Sequence, residues 1–277
     1  MKERESRENI LKQLSEHARE RTRISISQIS LGEMKERAEA RAEQDRAAGK
    51  TDFRFEEALK KPGVRMICEC KKASPSKGMI SPLFPYLEIA QEYERSGADC
   101  ISVLTEPKWF HGDIRYLQEI ADTVSIPCLR KDFIVDPYMV YEAKAFGAEA
   151  VLLICSILSE EEIAQYLGIA NELGMSSLVE THDEQQIRSA IRAGARVIGV
   201  NNRNLETFRT DLSTAERLRS FVPEDILYVV ESGIDTAEDA RRARECGADA
   251  LLVGESLMRA PDRHYAMENF RRVLHDY

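Results

Sequence analysis

One four-residue phrase recurs along this chain and limits its architecture more than any other feature. Gly97-Ala98-Asp99-Cys100, Gly147-Ala148-Glu149-Ala150, Gly194-Ala195-Arg196-Val197 and Gly247-Ala248-Asp249-Ala250 begin 50, 47 and 53 residues apart. Each follows a helix-like segment (89–96, 138–146, 184–193 and 236–246). Each leads into a short apolar run (101–104, 151–154, 197–200 and 251–253). Glycine ends a helix because it adopts positive φ without steric cost. The alanine lets helix and strand approach closely. The phrase therefore marks a helix-to-strand joint. Four more apolar runs, 64–70, 127–130, 177–180 and 226–231, fall between the joints. Ser159-x-x-Glu162, Ser213-x-x-Glu216 and Thr236-x-x-Asp239 predict capped helix starts. Short, continuously apolar strands alternating with amphipathic helices predict a parallel sheet. Eight such units in a fourfold repeat predict a closed (β/α)₈, or TIM, barrel over residues 51–277. A doubly wound open sheet is the competing architecture. It has less reason to repeat four times, and no G-x-G-x-x-G follows the first strand.

Residues 1–50 are rich in Glu, Arg, Lys and Ala and carry no sustained strand pattern. Ile10, Leu11 and Leu14 share one helix face, and Gly32–Ala48 reads as a second helix. This segment is expected to be a helical extension packed on the barrel, because its apolar residues need a partner surface. No apolar run has the length of a membrane span, and the charged start, Met1-Lys2-Glu3-Arg4-Glu5, lacks the apolar stretch of a signal peptide. A net charge of −9 argues against a nucleic-acid surface. Any anionic substrate must be held by locally placed cations and helix ends. The six cysteines show no C-x-x-C spacing, and the five histidines are scattered, so no metal is expected. Reduced, buried cysteines fit a cytoplasmic protein.

In such a barrel, chemistry sits at the carboxyl ends of the strands. Those ends carry Glu69 and Lys71, Thr105-Glu106, Arg130-Lys131-Asp132, Glu180, Asn201-Asn202-Arg203, Glu231-Ser232-Gly233 and Gly254-Glu255-Ser256. A random surface would not place an ionisable or amide residue at nearly every terminus of one rim. Glu69 and Lys71 stand two apart, hence on one side of a strand. A cationic Ser74-Pro75-Ser76-Lys77-Gly78 turn follows them. Lys131 lies near Arg130 and Lys71, so its amine is expected either to lose proton affinity or to be kept as a positioned acid. The small-residue segments after strands seven and eight have the chemistry of a phosphate corner.

Taken in order, these motifs closely resemble indole-3-glycerol-phosphate synthase. The resemblance is carried by Glu69-Cys70-Lys71-Lys72-Ala73-Ser74-Pro75-Ser76-Lys77-Gly78, by Ile101–Glu106 and by Leu129-Arg130-Lys131-Asp132-Phe133. It continues at Val179-Glu180, Gly199–Leu205, Glu231-Ser232-Gly233-Ile234 and Val253–Met258. It covers roughly residues 50–260, and the first motif is the most specific. The resemblance implies a decarboxylating, dehydrating ring closure in tryptophan biosynthesis, without a cofactor. The substrate would be 1-(2-carboxyphenylamino)-1-deoxyribulose 5-phosphate, and the product indole-3-glycerol phosphate. It implies Lys131 as the general acid and Glu180 as general base, or as acid in the dehydration. Lys71 would hold the anthranilate carboxylate and Glu69 would orient Lys71. The division of the acid steps between Lys71 and Lys131 stays open. Asn201 and Glu231 would hold ribulose hydroxyls and the anilino nitrogen. Ser74, Arg203, Ser232, Gly233, Gly254 and the Glu255 amide would grip the phosphate. Phe110, Pro75 and Leu252 would pack the aromatic ring. The resemblance further implies an N-terminal extension that helps cover the barrel mouth. One catalytic barrel is expected, not a fusion, working as a monomer or weak homo-oligomer. Two other readings compete: a Schiff-base aldolase using Lys131 as nucleophile, and an idle barrel that binds a sugar phosphate.

Overall fold

The computed structural model describes residues 2–204 and 208–274, with only the backbone of residues 2–9. Met1 and Leu205, named above, and His275, one of the five histidines, lie outside the described residues. Eight strands form one closed parallel barrel: β1 (Arg65–Cys70), β2 (Cys100–Leu104), β3 (Cys128–Lys131), β4 (Ala150–Ile154), β5 (Ser176–Thr181), β6 (Val197–Asn201), β7 (Leu227–Glu231) and β8 (Ala250–Val253). The ring is sealed where β1 runs beside β8, from Arg65 opposite Ala250 to Cys68 opposite Val253. The open doubly wound alternative is thereby excluded. The four recurring joints do what their glycines predict, with φ of 89°, 87°, 94° and 87° at Gly97, Gly147, Gly194 and Gly247.

Strand residues alternate between two cores. Cys68, Cys70, Val103, Cys128, Val151, Val179, Ile198, Val230 and Val253 face the surrounding helices. Ile67, Cys100, Leu129, Leu152, Leu178, Val197, Val229 and Leu252 face the barrel axis. Burial raises the Cys68 and Cys70 thiols well above their ordinary range, so these side chains pack as small apolar groups. The same parity carries Glu69, Lys131, Glu180, Asn201 and Glu231 inward, one layer above the apolar floor.

Three helices precede β1: α1 (Lys2–Gln28), α2 (Leu31–Ala47) and α3 (Arg54–Leu59). The short α3 closes the bottom, with Phe55, Ala58 and Leu59 packed into the axial core. In α2, Met34, Ala38 and Ala42 are buried, and Asp45 accepts a 2.7 Å bond from the buried Lys144. α1 lies against the opposite end. Its Arg21 makes a two-pronged contact with Asp132, at 2.7 and 3.2 Å, and Arg19 donates to the Val135 carbonyl. His17 meets Glu106 at 3.2 Å and the edge of Trp109. No described helix is long and apolar enough to cross a membrane.

Two of the three predicted capping boxes form, at Ser159 with Glu162 and at Thr236 with Asp239. The third does not. Leu212 occupies the cap position and Ser213 is already helical. Asp211 and Asn202 instead accept the Ser213 and Ala215 amides at 3.0 Å each, and Glu216 pairs with Arg242. Asp211, two residues upstream, and Asn202, which follows β6 and is brought to this helix start by the fold, thus replace the predicted Ser213 cap.

Candidate active site

The barrel mouth holds a cavity of about 500 Å³. All fifteen residues expected to contact substrate line it: Glu69, Lys71, Ser74, Pro75, Phe110, Lys131, Glu180, Asn201, Arg203, Glu231, Ser232, Gly233, Leu252, Gly254 and Glu255. At its floor, Lys131 Nζ sits 3.4 Å from Glu231 Oε2, 3.8 Å from Glu69 Oε2 and 3.9 Å from Glu180 Oε2. Lys71 Nζ holds the other oxygen of Glu69 at 2.6 Å. Two amines and three carboxylates from four strands therefore share one buried space.

The environment decides which groups keep protons. Burial would strip Lys131, but the charges of Glu231, Glu69 and Glu180 outweigh it and raise its proton affinity. The expectation of a lowered affinity through Arg130 is corrected here. Arg130 has the opposite strand parity and points into the helix layer, where it contacts Glu142, Asp132 and the Met139 carbonyl. Glu69 is also buried, yet Lys71 and Lys131 bring its carboxyl below the usual range. Glu231 is the converse. Burial, reinforced by Glu180 and Glu69, pushes it up to about 8 against the pull of Lys131. The cluster has one carboxylate more than its amines can neutralise, and Glu231 keeps the extra proton.

Two strand glycines make this crowding possible. A Cβ at Gly199 would lie 2.1 Å from Glu231 Oε1, and one at Gly254 would lie 2.5 Å from Glu69 Oε1 and 3.1 Å from Lys71 Nζ. Both positions face the axis, so any side chain there would evict a polar group from the floor.

One side of the mouth is formed by glycine turns, a short helix start and two cations. Ser232 and Gly233 both take left-handed φ, 65° and 78°. Asn202 braces this turn by donating to the Glu231 and Ser232 carbonyls at 3.1 and 3.0 Å. Gly254 opens the helix Glu255–Arg259. Lys77 and Arg203 converge on the Glu255 carboxylate at 3.4 and 3.9 Å. The opposite side is apolar. Phe110 and Phe133 stand with ring centres 6.2 Å apart, with Pro75, Leu104, Ile154 and Leu252 around them. Ile10, Leu11 and Leu14 of α1 close the roof.

Several lining residues escaped the sequence reading. Ser76 and Lys77 stand in the quoted motif but were given no role. Phe133, Phe208, Arg209 and Thr210 also line the cavity. The apolar face at Ile10, Leu11 and Leu14 was visible, but nothing in the sequence told which surface it would meet. Among the described residues, no group of three or more His, Cys, Asp or Glu side chains is placed to hold a metal ion.

Comparison with known proteins matches the geometry. Solved structures of low sequence identity share the fold alone. One is 3-hexulose-6-phosphate synthase from Salmonella typhimurium, at TM-score 0.64 and 15% identity over 76% of this chain and 98% of that one. Sequence relatives are more informative. An indole-3-glycerol phosphate synthase from Ruminiclostridium cellulolyticum is 53% identical over 80% of this chain and 85% of its own length. Another, from Endomicrobium trichonymphae, is 54% identical over 74% of this chain and 80% of its own. The family model described as indole-3-glycerol phosphate synthase matches residues 19–270. A barrel whose amines and carboxylates gather at the floor of a cavity walled by apolar residues and glycine turns, and whose sequence matches that family almost end to end, belongs to the indole-3-glycerol phosphate synthases.

Proposed function

We propose that this cavity closes the indole ring of indole-3-glycerol phosphate from 1-(2-carboxyphenylamino)-1-deoxyribulose 5-phosphate, releasing carbon dioxide and water. One observation carries the reading: Lys131 lies within 4 Å of three carboxylates at the floor of a cavity with an aromatic wall and an anion corner. The ring carbon bearing the carboxylate attacks the ribulose carbonyl carbon. The carbonyl oxygen gains negative charge as that bond forms. Lys131, kept protonated by its neighbours, supplies the proton there. Lys71 holds the departing carboxylate, and its 2.6 Å bond to Glu69 fixes where its charge points. Loss of carbon dioxide leaves the hydroxyl in place; a second proton, from one of the two lysines, lets it depart as water, and Glu180 takes the proton from the carbon next to nitrogen as the ring becomes aromatic. Glu231, protonated near neutral pH, can donate to a ribulose hydroxyl, with Asn201 beside it. Phosphate is held by Ser74, Arg203, Ser232, Gly233, Gly254 and the Glu255 amide. Phe110, Pro75 and Leu252 sandwich the aromatic ring. The Glu69 and Glu180 carboxylates beside Lys131 favour its ammonium form, which is an acid and a poor nucleophile. That favours the synthase over the Schiff-base aldolase.

In this reading, residues 1–50 form the extension that packs on the barrel of residues 51–277 and helps cover its mouth, and the enzyme works in the cytoplasm as a monomer or weak homo-oligomer. The test adds the carboxyphenylamino-deoxyribulose phosphate and follows indole fluorescence. Lys131→Ala is expected to lower kcat by roughly 10²- to 10⁴-fold. Stabilisation of the same variant by inorganic phosphate should persist. Undiminished turnover in that variant would rule out the acid role.

A further inference from the structure

We propose that His182 is a positioning residue that holds the Glu180 carboxylate in its working orientation. The proposal rests on the reading of Glu180 as a proton-transfer group. His182 follows β5 and lies over the rim beside Glu180. Its Nε2 is buried, has no hydrogen-bond partner among the described residues, and stands 3.7 Å from Glu180 Oε1. The other oxygen of Glu180 faces Lys131. A carboxylate held on one oxygen by His182, with the other turned toward Lys131, presents a fixed edge to substrate.

A short hydrogen-bond chain leads to the imidazole and is compatible with a proton on Nε2. The His182 backbone amide donates to Gln186 Oε1 at 2.9 Å, which fixes the amide orientation of Gln186. Gln186 Nε2 must then be the donor to Ser156 Oγ, at 3.1 Å. Ser156 Oγ, which accepts that bond, stands 3.4 Å from His182 Nδ1 with its own proton still available to that nitrogen. With Nδ1 accepting, the ring proton of neutral His182 resides on Nε2, the nitrogen aimed at Glu180. The chain thus runs in one direction, from a backbone amide to the carboxylate. Catalytic hydrogen bonds that are long before substrate arrives shorten in the working complex, and a small ring rotation closes the 3.7 Å gap.

The test compares kcat and KM of full-length His182→Ala, His182→Asn and His182→Gln. Gln places an N–H where Nε2 was; Asn places one only where Nδ1 was. Ala and Asn are expected to lower kcat roughly tenfold, about the worth of one hydrogen bond to a charged group. KM should stay within about twofold, and Gln should keep kcat within about threefold of the parent. In a Glu180→Gln background, His182→Ala should change the residual kcat by less than about twofold, because the proton-transferring carboxylate that His182 orients is already gone. Undiminished kcat in Ala, equal losses in Gln and Ala, or additive losses with Glu180→Gln would each overturn the proposal. If Ala does not fold, the Asn and Gln pair decides alone. Undiminished turnover in Glu180→Gln itself would sink the reading of Glu180. A dead Glu180→Gln with neutral His182 variants would sink only this inference.

Discussion

Glu231→Gln should make the protein more stable, and increasingly so as pH rises. Glu231 is 1% exposed, and neither carboxyl oxygen has a hydrogen-bond partner among the described residues, although Lys131 Nζ is 3.4 Å away. Its carboxyl is pushed from 4.5 up to about 8. A group whose proton affinity is higher in the folded state contributes stability below its unfolded pKa and loses it as pH climbs through the folded pKa. The affected window is therefore about pH 4.5 to 8. Each unit of difference corresponds to about 1.4 kcal/mol, so between pH 5 and 8 the native state loses on the order of 3 kcal/mol through this residue. Other shifted groups of the mouth act elsewhere. Glu69 and Asp132 are lowered and act at acid pH, and Lys131 is raised and acts above its ordinary range. Glutamine mimics the protonated acid in shape and removes the titration. Its melting temperature should match the parent's near pH 5 and exceed it by roughly 6 °C at pH 8, at about 2 °C per kcal/mol for a chain of this length. The assay is thermal unfolding by circular dichroism at pH 5, 6, 7 and 8. A difference that stays flat, or that narrows with pH, would refute the assignment of the extra proton to Glu231.

Two further substitutions probe the supports of the site. Gly254→Ala brings a methyl group to 2.5 Å from Glu69 Oε1 and 3.1 Å from Lys71 Nζ. Steady-state kinetics should show kcat falling by about 10²-fold, the cost of misplacing groups by about an ångström; parental kcat would mean that the Glu69–Lys71 geometry does not matter. Arg21→Ala leaves the buried Asp132 with Thr105, Arg130 and the Phe133 amide, so the loss of stability should be about 1–3 kcal/mol, less than for a fully stranded charge. Freed from its clamp, α1 should be cut sooner by limited proteolysis and KM should rise, and an unchanged cleavage pattern would argue that other contacts hold α1.

The sequence by itself determined the barrel and most of the mouth. Four glycine joints with continuous apolar runs leave few parallel architectures, and strand parity alone places Glu69, Lys131, Glu180, Asn201 and Glu231 on one side. These are local facts, set by backbone geometry over two or three residues. The misread features depend on where the fold seats each side chain, which the local motif does not fix. Ser213 lost its cap to Asp211 and Asn202. Arg130, adjacent to Lys131 in sequence, contributes nothing to that amine's surroundings because alternation turns it to the opposite face. The face of Ile10, Leu11 and Leu14 was evident, but its seat over the cavity rests on Arg21 meeting Asp132, 111 residues away. Proton affinities were likewise undecided until the fold converged three carboxylates on Lys131. Coulomb terms depend on distances between side chains from separate strands, and only the closed barrel fixes those distances.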